Sequence, residues 1–252
     1  MFDEILLKDR TTGKNIIWAN DGKNQREEIQ LKDIYSIKPR HEKIRELQKI
    51  RTKVRAEIFT SPDICQIQNN LIVADEKDFE KYIDAKFLEI TCGEAPYLVN
   101  RYNAVTGEPI EFDKRFGLLD RKLKLIKKEN LKPIDEWTRR AVQSIYGYEF
   151  QGDNLFLARR NVFETIKEFL AGKIPSKELT EFLKEVAEII SWNFWQMDGQ
   201  TYSPPFTNSN RQTEFNFYGD KPKPHDKIFC EIRNWQTNES IIFKKLLGVV
   251  QK

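Results

Sequence analysis

The chain has 252 residues, of which 39% are hydrophobic and 32% are charged. This length suits one large domain, or one domain with a short appendage, and the 17 Phe, 8 Tyr and 5 Trp supply ample material for a core. A net charge of +3 is too small to indicate nucleic-acid binding by itself. The sequence also has no run of about 18 apolar residues that would predict a membrane-spanning helix.

The cysteines and histidines are sparse and show no metal-binding spacing. Cys65, Cys92 and Cys230 lie far apart without a Cys-x-x-Cys pair, and His41 and His225 cannot complete a site with them. We therefore expect reduced thiols, a cytoplasmic protein and no metal site. The first residues lack the basic and apolar regions of a secretory signal, which agrees with that expectation.

The first 38 residues contain two short strand-like pieces, residues 4–7 and 15–18, separated by a turn that ends at Gly13. We interpret residues 1–38 as an N-terminal arm or hairpin and residues 39–252 as the main domain. On this interpretation the arm is not a domain of its own.

Two stretches of the sequence are strongly basic. Residues 38–55 hold eight Lys or Arg against two Glu, and the apolar positions within residues 39–58 recur at helical spacing. A second run, residues 121–128, adds five Lys or Arg. Together they favour a surface that faces a polyanion such as DNA, although each alone is more typical of a solvated helix face.

Strands and helices alternate through the rest of the chain. A helix is predicted over residues 62–72, because Thr60 or Ser61 can cap it and Pro62 suits its first position. The further predictions are a strand at 87–91, a glycine turn, a helix at 97–102, a strand at 145–150, two helices, a strand-like segment at 190–198, a long loop at 201–226, and two strands at 228–235 and 240–243. This alternation predicts an α/β fold with a parallel sheet between helices.

Three of the predicted strands end in an acidic residue, namely Glu89, Glu149 and Asp198. A carboxylate at the end of the second strand of a nucleotide site can accept hydrogens from both ribose hydroxyls. A third acid can accept from an adenine amine, and the turn after Glu89 leaves room for a further group. A single acid at a strand end is usually a surface cap, but three in order favour a nucleotide-type cofactor site.

At these segments the sequence resembles the N6-adenine DNA methyltransferases, in particular the modification subunits of restriction–modification systems. The resemblance covers about residues 50–200. It rests on Ile58-Phe59-Thr60-x-Pro62, on Leu88-Glu89-Ile90-Thr91-Cys92-Gly93-Glu94-Ala95-Pro96-Tyr97-Leu98, on Tyr146-Gly147-Tyr148-Glu149-Phe150 and on Ala158-Arg159-Arg160-Asn161. It implies a Rossmann-like class I S-adenosylmethionine-dependent methyltransferase sheet flanked by helices.

The resemblance also implies a cofactor site for S-adenosylmethionine. Phe59 and Thr60 would contact its methionine end, and Glu149 would hold its ribose, with Phe150 beside it. The first turn would be lined by Glu89, Thr91 and Gly93, and Asp198 would approach the adenine ring.

The sequence departs from the family pattern in the cofactor segments. Ser61 is inserted in the Phe-Thr-Pro segment, and Glu94-Ala95-Pro96 replaces a pair of small residues in the first turn. The second change is expected to narrow the room for the cofactor.

The catalytic motif of the family, Asn/Asp/Ser-Pro-Pro-Tyr/Phe, follows the fourth strand. A side-chain oxygen and a proline carbonyl accept the N–H bonds of the target amine, and the aromatic ring stacks on the extruded base. The matching residues here are Ser203, Pro204, Pro205 and Phe206. They lie only five residues after Asp198, with no fourth strand between, so either this loop is catalytic in a rearranged position or the chain lacks a working motif.

Two main hypotheses follow. The chain is an S-adenosylmethionine-dependent adenine-N6 methyltransferase that acts on double-stranded DNA, with a separate specificity or nuclease subunit as an open option. Alternatively it is a catalytically inactive, methyltransferase-like DNA-binding or regulatory subunit. A magnesium-dependent nuclease is a third, weaker reading, because no Asp…Glu-x-Lys signature is present at strand spacing.

Overall fold

The computed structural model describes residues 1–20, 24–43, 49, 52–53, 60–72, 78–207 and 227–248. The helices with bounds inside these ranges are α1 (Phe2–Leu6), α2 (Pro62–Asn70), α3 (Phe79–Asp84), α4 (Leu118–Lys128), α5 (Ile134–Gln143), α6 (Gly152–Leu170), α7 (Ser176–Asn193) and α8 (Phe243–Leu246). Short 3-10 turns occur at Ile34–Ser36, Arg40–Glu42 and Phe112–Lys114. The helix predicted after Ser61 is confirmed, with Pro62 at its first position.

The central sheet has three parallel strands in the order β1 (Phe87–Glu89), β2 (Ile145–Glu149) and β3 (Phe194–Gln196). Leu88 pairs with Tyr146, and Tyr148 pairs with Trp195. The predicted α/β fold with a parallel sheet flanked by helices is therefore confirmed. The two strands predicted near the end of the chain are also confirmed as an antiparallel pair, β4 (Glu231–Asn234) and β5 (Glu239–Ile242).

The two faces of the sheet are buried in two different clusters. Ile145 and Phe194 belong to the main core with the helices. Tyr146 and Trp195, one residue further along each strand, pack with Phe243 and the β4–β5 hairpin. This division follows from the two-residue repeat of a strand, which points successive side chains to opposite faces.

The N-terminal segment is part of the main core. Apolar side chains of residues 1–38 that are buried there are Leu6, Leu7, Ile16, Ile29 and Ile34. The Gln196 side chain accepts a hydrogen bond from the Ile17 N–H and donates one to the Ile17 carbonyl, both at 2.8 Å, and so ties this segment to β3. The buried Arg159 guanidinium donates to the carbonyls of Leu6 and Lys8. The proposed boundary at residue 38 stays a prediction.

Three predicted elements differ from the structure. Residues 2–6 form α1 rather than a strand beginning at residue 4, since Leu6 packs into the core as part of a helix. Residues 97–102 form turns rather than a helix, because the Asn100 side chain accepts hydrogen bonds from the N–H groups of Phe116 and Gly117. The segment predicted as a strand from residue 190 is helical up to Asn193, because Ile190 completes the buried stripe of α7.

The predicted basic helix at residues 39–58 lies mostly outside the described residues. Within the described ranges, no helix is both long and apolar enough to span a membrane.

Candidate functional site

A cavity of about 1120 Å³ lies where β1, β2 and β3 end. Ligand pockets usually measure about 300–1,000 Å³, so this one can hold a nucleotide-sized molecule. The residues that line it are Lys53, Thr60, Asn69, Ile72, Leu88, Glu89, Ile90, Thr91, Cys92, Gly93, Pro96, Tyr97, Leu98, Leu118, Glu149, Phe150, Gln151, Asn154, Asp198, Gly199 and Gln200.

The structure brings together almost the whole predicted cofactor set. The members that line this one cavity are Thr60, Glu89, Thr91, Gly93, Glu149, Phe150 and Asp198. The remaining member, Phe59, lies outside the described residues. These residues come from four segments that are widely separated in sequence, and they meet because parallel strands end at the same edge of the sheet.

Glu149 joins the second strand to the turn after the first. One of its oxygens accepts a hydrogen bond from the Gly93 N–H at 2.9 Å, and the other accepts from the N–H groups of Phe150 and Gln151 at 3.0 and 3.1 Å. Burial raises the pKa of this carboxyl, although the three donors oppose the shift. Since a carboxylate has about four acceptor positions, Glu149 keeps capacity for one more donor.

Glu89 is a buried acid with an unpaired oxygen. Its Oε1 accepts a long hydrogen bond of 3.4 Å from the Tyr97 N–H, and its buried Oε2 has no hydrogen-bond partner. Burial raises the pKa of Glu89 well above its ordinary value, and the neighbouring charge of Glu149 adds to the shift. A cationic or hydrogen-donating ligand in the cavity would supply the partner that this carboxyl lacks.

Acidic side chains outnumber basic ones in the cavity wall. Three acids line it, and Lys53 is the single cationic side chain among the described lining residues. Such a wall favours a ligand that carries net positive charge.

The first turn is kept open by Glu94, which points away from the cavity. Its carboxylate accepts hydrogen bonds from the Arg40 N–H at 2.8 Å and the Tyr102 hydroxyl at 2.5 Å, while Asn161 Nδ2 donates to its carbonyl at 2.9 Å. Ala95 adopts a left-handed backbone (φ 61°) and is also absent from the lining. The expected narrowing by residues 94–96 is thus wrong for Glu94 and Ala95, and only Pro96 reaches the cavity.

Residues 203–206, here called the proline loop, follow shortly after the lining residues Asp198, Gly199 and Gln200. None of these four residues lines the cavity. The Asp198 N–H donates to the Ser203 carbonyl at 2.8 Å, which holds the loop beside the end of β3. The Phe206 ring meets the Phe150 ring edge to face at 5.6 Å.

The polar groups of this loop are already engaged. Ser203 is 1% exposed, and its hydroxyl is 2.6 Å from that of Thr201. The Pro204 carbonyl accepts from both the N–H and the hydroxyl of Thr207, at 3.2 and 2.6 Å. The structure therefore places the motif near the cofactor set, with the Ser203 hydroxyl buried and the Pro204 carbonyl already accepting two hydrogen bonds.

The second basic run is not a free cationic face. Lys122 is fully buried and donates to the carbonyls of Ile83 and Ala85 and to the Ser144 hydroxyl, so the prediction that it faces phosphate is wrong. The other four are also engaged: Arg121 with Asn69 and Asn70, Lys124 with the carbonyls of Asp113 and Arg115, Lys127 with Asp113, and Lys128 with Glu129.

Sequence reasoning missed several residues of the site. Gln151 lines the cavity from the position before α6 and Asn154 from the first turn of that helix, and their position just after Glu149 was a usable signal. Asn69 lines it from α2, and its Nδ2 donates to the Tyr97 and Phe116 carbonyls. No local pattern indicates that contact, because the partners are 28 and 47 residues away.

No group of three or more His, Cys, Asp or Glu side chains is arranged to hold a metal ion within the described ranges. Comparison of the chain with protein-family models, with curated proteins and with solved structures finds no match in any of the three.

Proposed function

We propose that the cavity binds S-adenosylmethionine and that the chain is an adenine-N6 methyltransferase of the restriction–modification type, acting on double-stranded DNA. The observation that carries the proposal is the meeting of all the described members of the predicted cofactor set in one cavity. That cavity lies at the carboxyl ends of parallel strands, where open α/β sheets bind nucleotides. The consecutive order β1-β2-β3 is that of one half of a Rossmann-like sheet.

The charge of the cavity fits this cofactor. S-adenosylmethionine carries a sulfonium and an ammonium against one carboxylate, so it is cationic overall. Glu89 would pair with its positive end, together with the polar groups of Thr91 and Gly93. Glu149 would hold the ribose with its remaining acceptor capacity, and Phe150 and Asp198 would flank the adenine.

When bound, the cofactor supplies an electrophilic methyl group. The chain must then hold the target amine, whose N–H groups would donate to Ser203 Oγ and to the Pro204 carbonyl. The N–C bond would form as the cofactor's S–C bond breaks, and the proton lost from nitrogen would pass to water, because neither acceptor is basic enough to keep it. Both are paired within the loop, with Thr201 and Thr207. We propose that, when DNA binds, hydrogen bonds from the target base replace these two contacts within the loop. The Phe206 ring would then leave the Phe150 ring and stack on that base.

The hydrogen bonds that Ser203 and Pro204 make within the loop favour a second candidate function. A protein that binds the cofactor and DNA but does not transfer the methyl group would have no need of free acceptors at residues 203–206. Such a protein would serve as a regulatory subunit, or would wait for a partner that supplies the missing acceptors.

The test is transfer of labelled methyl from S-adenosylmethionine to mixed-sequence duplex DNA, followed by nucleoside analysis. We expect label on adenine N6, and a loss of about tenfold or more in rate for Ser203→Ala with cofactor binding intact. Ser240→Ala, an exposed serine of β5, is the matched control and should transfer normally.

The other outcomes separate the two candidates. Cofactor binding without transfer would reject the enzyme and support the regulatory subunit. Absence of both would reject both candidates.

A further inference from the structure

Lys43 is a buried lysine that contacts the wall of the cavity without lining it. Its side chain is 7% exposed, and its ammonium lies 3.4 Å from both Asp153 Oδ2 and Asn154 Oδ1. Asp153 is equally buried, so the charge of the ammonium is compensated where it lies. Both acceptors belong to the first turn of α6, which follows Glu149 at the end of β2.

The contact with Lys43 fixes the direction of the Asn154 amide. An ammonium only donates hydrogen bonds, so the atom of Asn154 that lies beside it must be the oxygen and not the NH2 group. Asn154 is 2% exposed and lines the cavity. Within the described residues no acceptor pairs with its NH2 group, so this donor is available to a molecule in the cavity.

This donor lies in a wall that mainly offers acceptors. The three acidic side chains present carboxyl oxygens. Asn69 Nδ2 already donates to two backbone carbonyls, at 2.9 and 3.2 Å, and the Thr91 hydroxyl donates to another at 2.7 Å. Together with Lys53, Asn154 therefore favours a ligand that has a hydrogen-bond acceptor as well as positive charge.

We propose that Asn154 determines ligand specificity by donating from its NH2 group to an acceptor in the nucleoside half of the ligand, and that Lys43 positions this group. Asn154 lies on the same segment as Glu149, whose position at the end of the second strand suits a ribose. Adenine offers ring nitrogens as acceptors beside that ribose. This inference rests on the proposed function and adds to it the residues that recognise the nucleoside.

The first measurement observes the donor itself in the full wild-type chain. The side-chain NH2 signals of Asn154 are assigned in the proton–nitrogen correlation spectrum as the pair that disappears in Asn154→Asp. We expect these signals to shift when adenosine or S-adenosylmethionine is added, and to stay in place when methionine is added. A shift with methionine but not with adenosine would overturn the proposal.

The second measurement is calorimetric titration of the variants with S-adenosylmethionine. Asn154→Asp keeps an oxygen towards Lys43 but removes the donor, and we expect its affinity to be about tenfold or more weaker than that of the wild type. The matched control is Asn238→Asp, in the exposed turn between β4 and β5, because the remaining oxygen keeps the contact with Arg233. This control should bind like the wild type.

Lys43→Met tests the positioning. Without the ammonium, nothing holds the Asn154 oxygen away from the cavity, and we expect a loss of about tenfold or more in affinity. Lys43→Arg should restore binding, since a guanidinium also only donates. A lysine that acted on the fold alone would change unfolding in urea but not the affinity of the folded variant, and circular dichroism establishes that each variant is folded.

The results separate this inference from the proposed function. Normal binding of S-adenosylmethionine in folded Asn154→Asp or Lys43→Met would reject the inference and leave the proposed function standing. A wild-type chain that binds neither adenosine nor S-adenosylmethionine would reject the proposed function, and the inference with it.

Discussion

Glu89 is the residue on which the electrostatics of the cavity most depend. Its carboxyl is buried, carries one oxygen without a partner and has a strongly raised pKa. A group that costs stability in this way and lies in a cavity is a candidate for ligand binding rather than for folding.

The raised pKa of Glu89 predicts that the free energy of unfolding depends on pH. The unfolded pKa is near 4.5 and the folded pKa is higher, so the native state binds more protons between the two values. The free energy of unfolding therefore falls as pH rises through that window. Glu89→Gln removes this titration, and we expect the variant to be more stable than the wild type at neutral pH but not at pH 4, as measured by urea unfolding.

Glu239→Gln, at an exposed position on β5, should follow the wild type at every pH. A Glu89→Gln variant that is less stable than the wild type at neutral pH would show that the carboxylate is stabilised in the fold, contrary to this account.

The sequence predicted Glu89 and Glu149 because each ends a short apolar strand, and that pattern is local. It could not predict what Glu94 does, since its partners Arg40 and Asn161 are 54 and 67 residues away. Nor could it show that the Ser203 hydroxyl is paired with that of Thr201. The spacing of apolar residues does not indicate whether a hydroxyl in a turn is buried.

Among the elements, α4 shows why a basic run need not be a basic surface. Its Lys122 reaches inward to the segments that precede β1 and β2, and burial lowers the pKa of this amine to about 7. From the sequence, we expect Lys122 to contribute to the positive surface, because a lysine between apolar residues is usually exposed. The acceptors at Ile83, Ala85 and Ser144 make its burial tolerable.

Lys122 gives α4 a testable pH signature. The unfolded pKa is 10.5 and the folded pKa is about 7, so the unfolded state binds more protons between these values. The free energy of unfolding should therefore rise with pH across this window, by about 1.4 kcal/mol for each pH unit. We expect Lys122→Met to lose this contribution, measured as a shallower pH dependence in urea unfolding.

Lys127→Met, on the same helix but with an exposed side chain, should keep the dependence of the wild type. An unchanged slope in Lys122→Met would show that the amine remains charged in the folded state at high pH.

At the scale of the whole molecule, the described residues form a three-stranded parallel sheet between helices and a separate antiparallel hairpin. The alternation of strands and helices predicted the parallel sheet, because βαβ connections leave few other topologies. Among the described residues no further strand pairs with β1, and the strand-like segments 228–235 and 240–243 pair with each other, as the short turn between them indicates. The packing of Phe243 on Trp195 is a long-range contact that local patterns do not encode.

The N-terminal segment shows the same limit. Residues 1–38 resembled an arm in sequence because their strand-like pieces were short. In the structure Leu7, Ile16 and Ile29 are fully buried in the main core, and Gln196 holds the backbone of Ile17. A glutamine at the end of a strand carries no sequence signal for such a contact.

The most direct test of the account is calorimetric titration of the full chain with S-adenosylmethionine at neutral pH. We predict binding at one site, with affinity about tenfold or more weaker in Glu89→Gln and unchanged in Glu239→Gln. Such a result would establish the cavity as a site for a cationic nucleotide. The absence of binding, or equal affinity in the wild type and Glu89→Gln, would contradict the account.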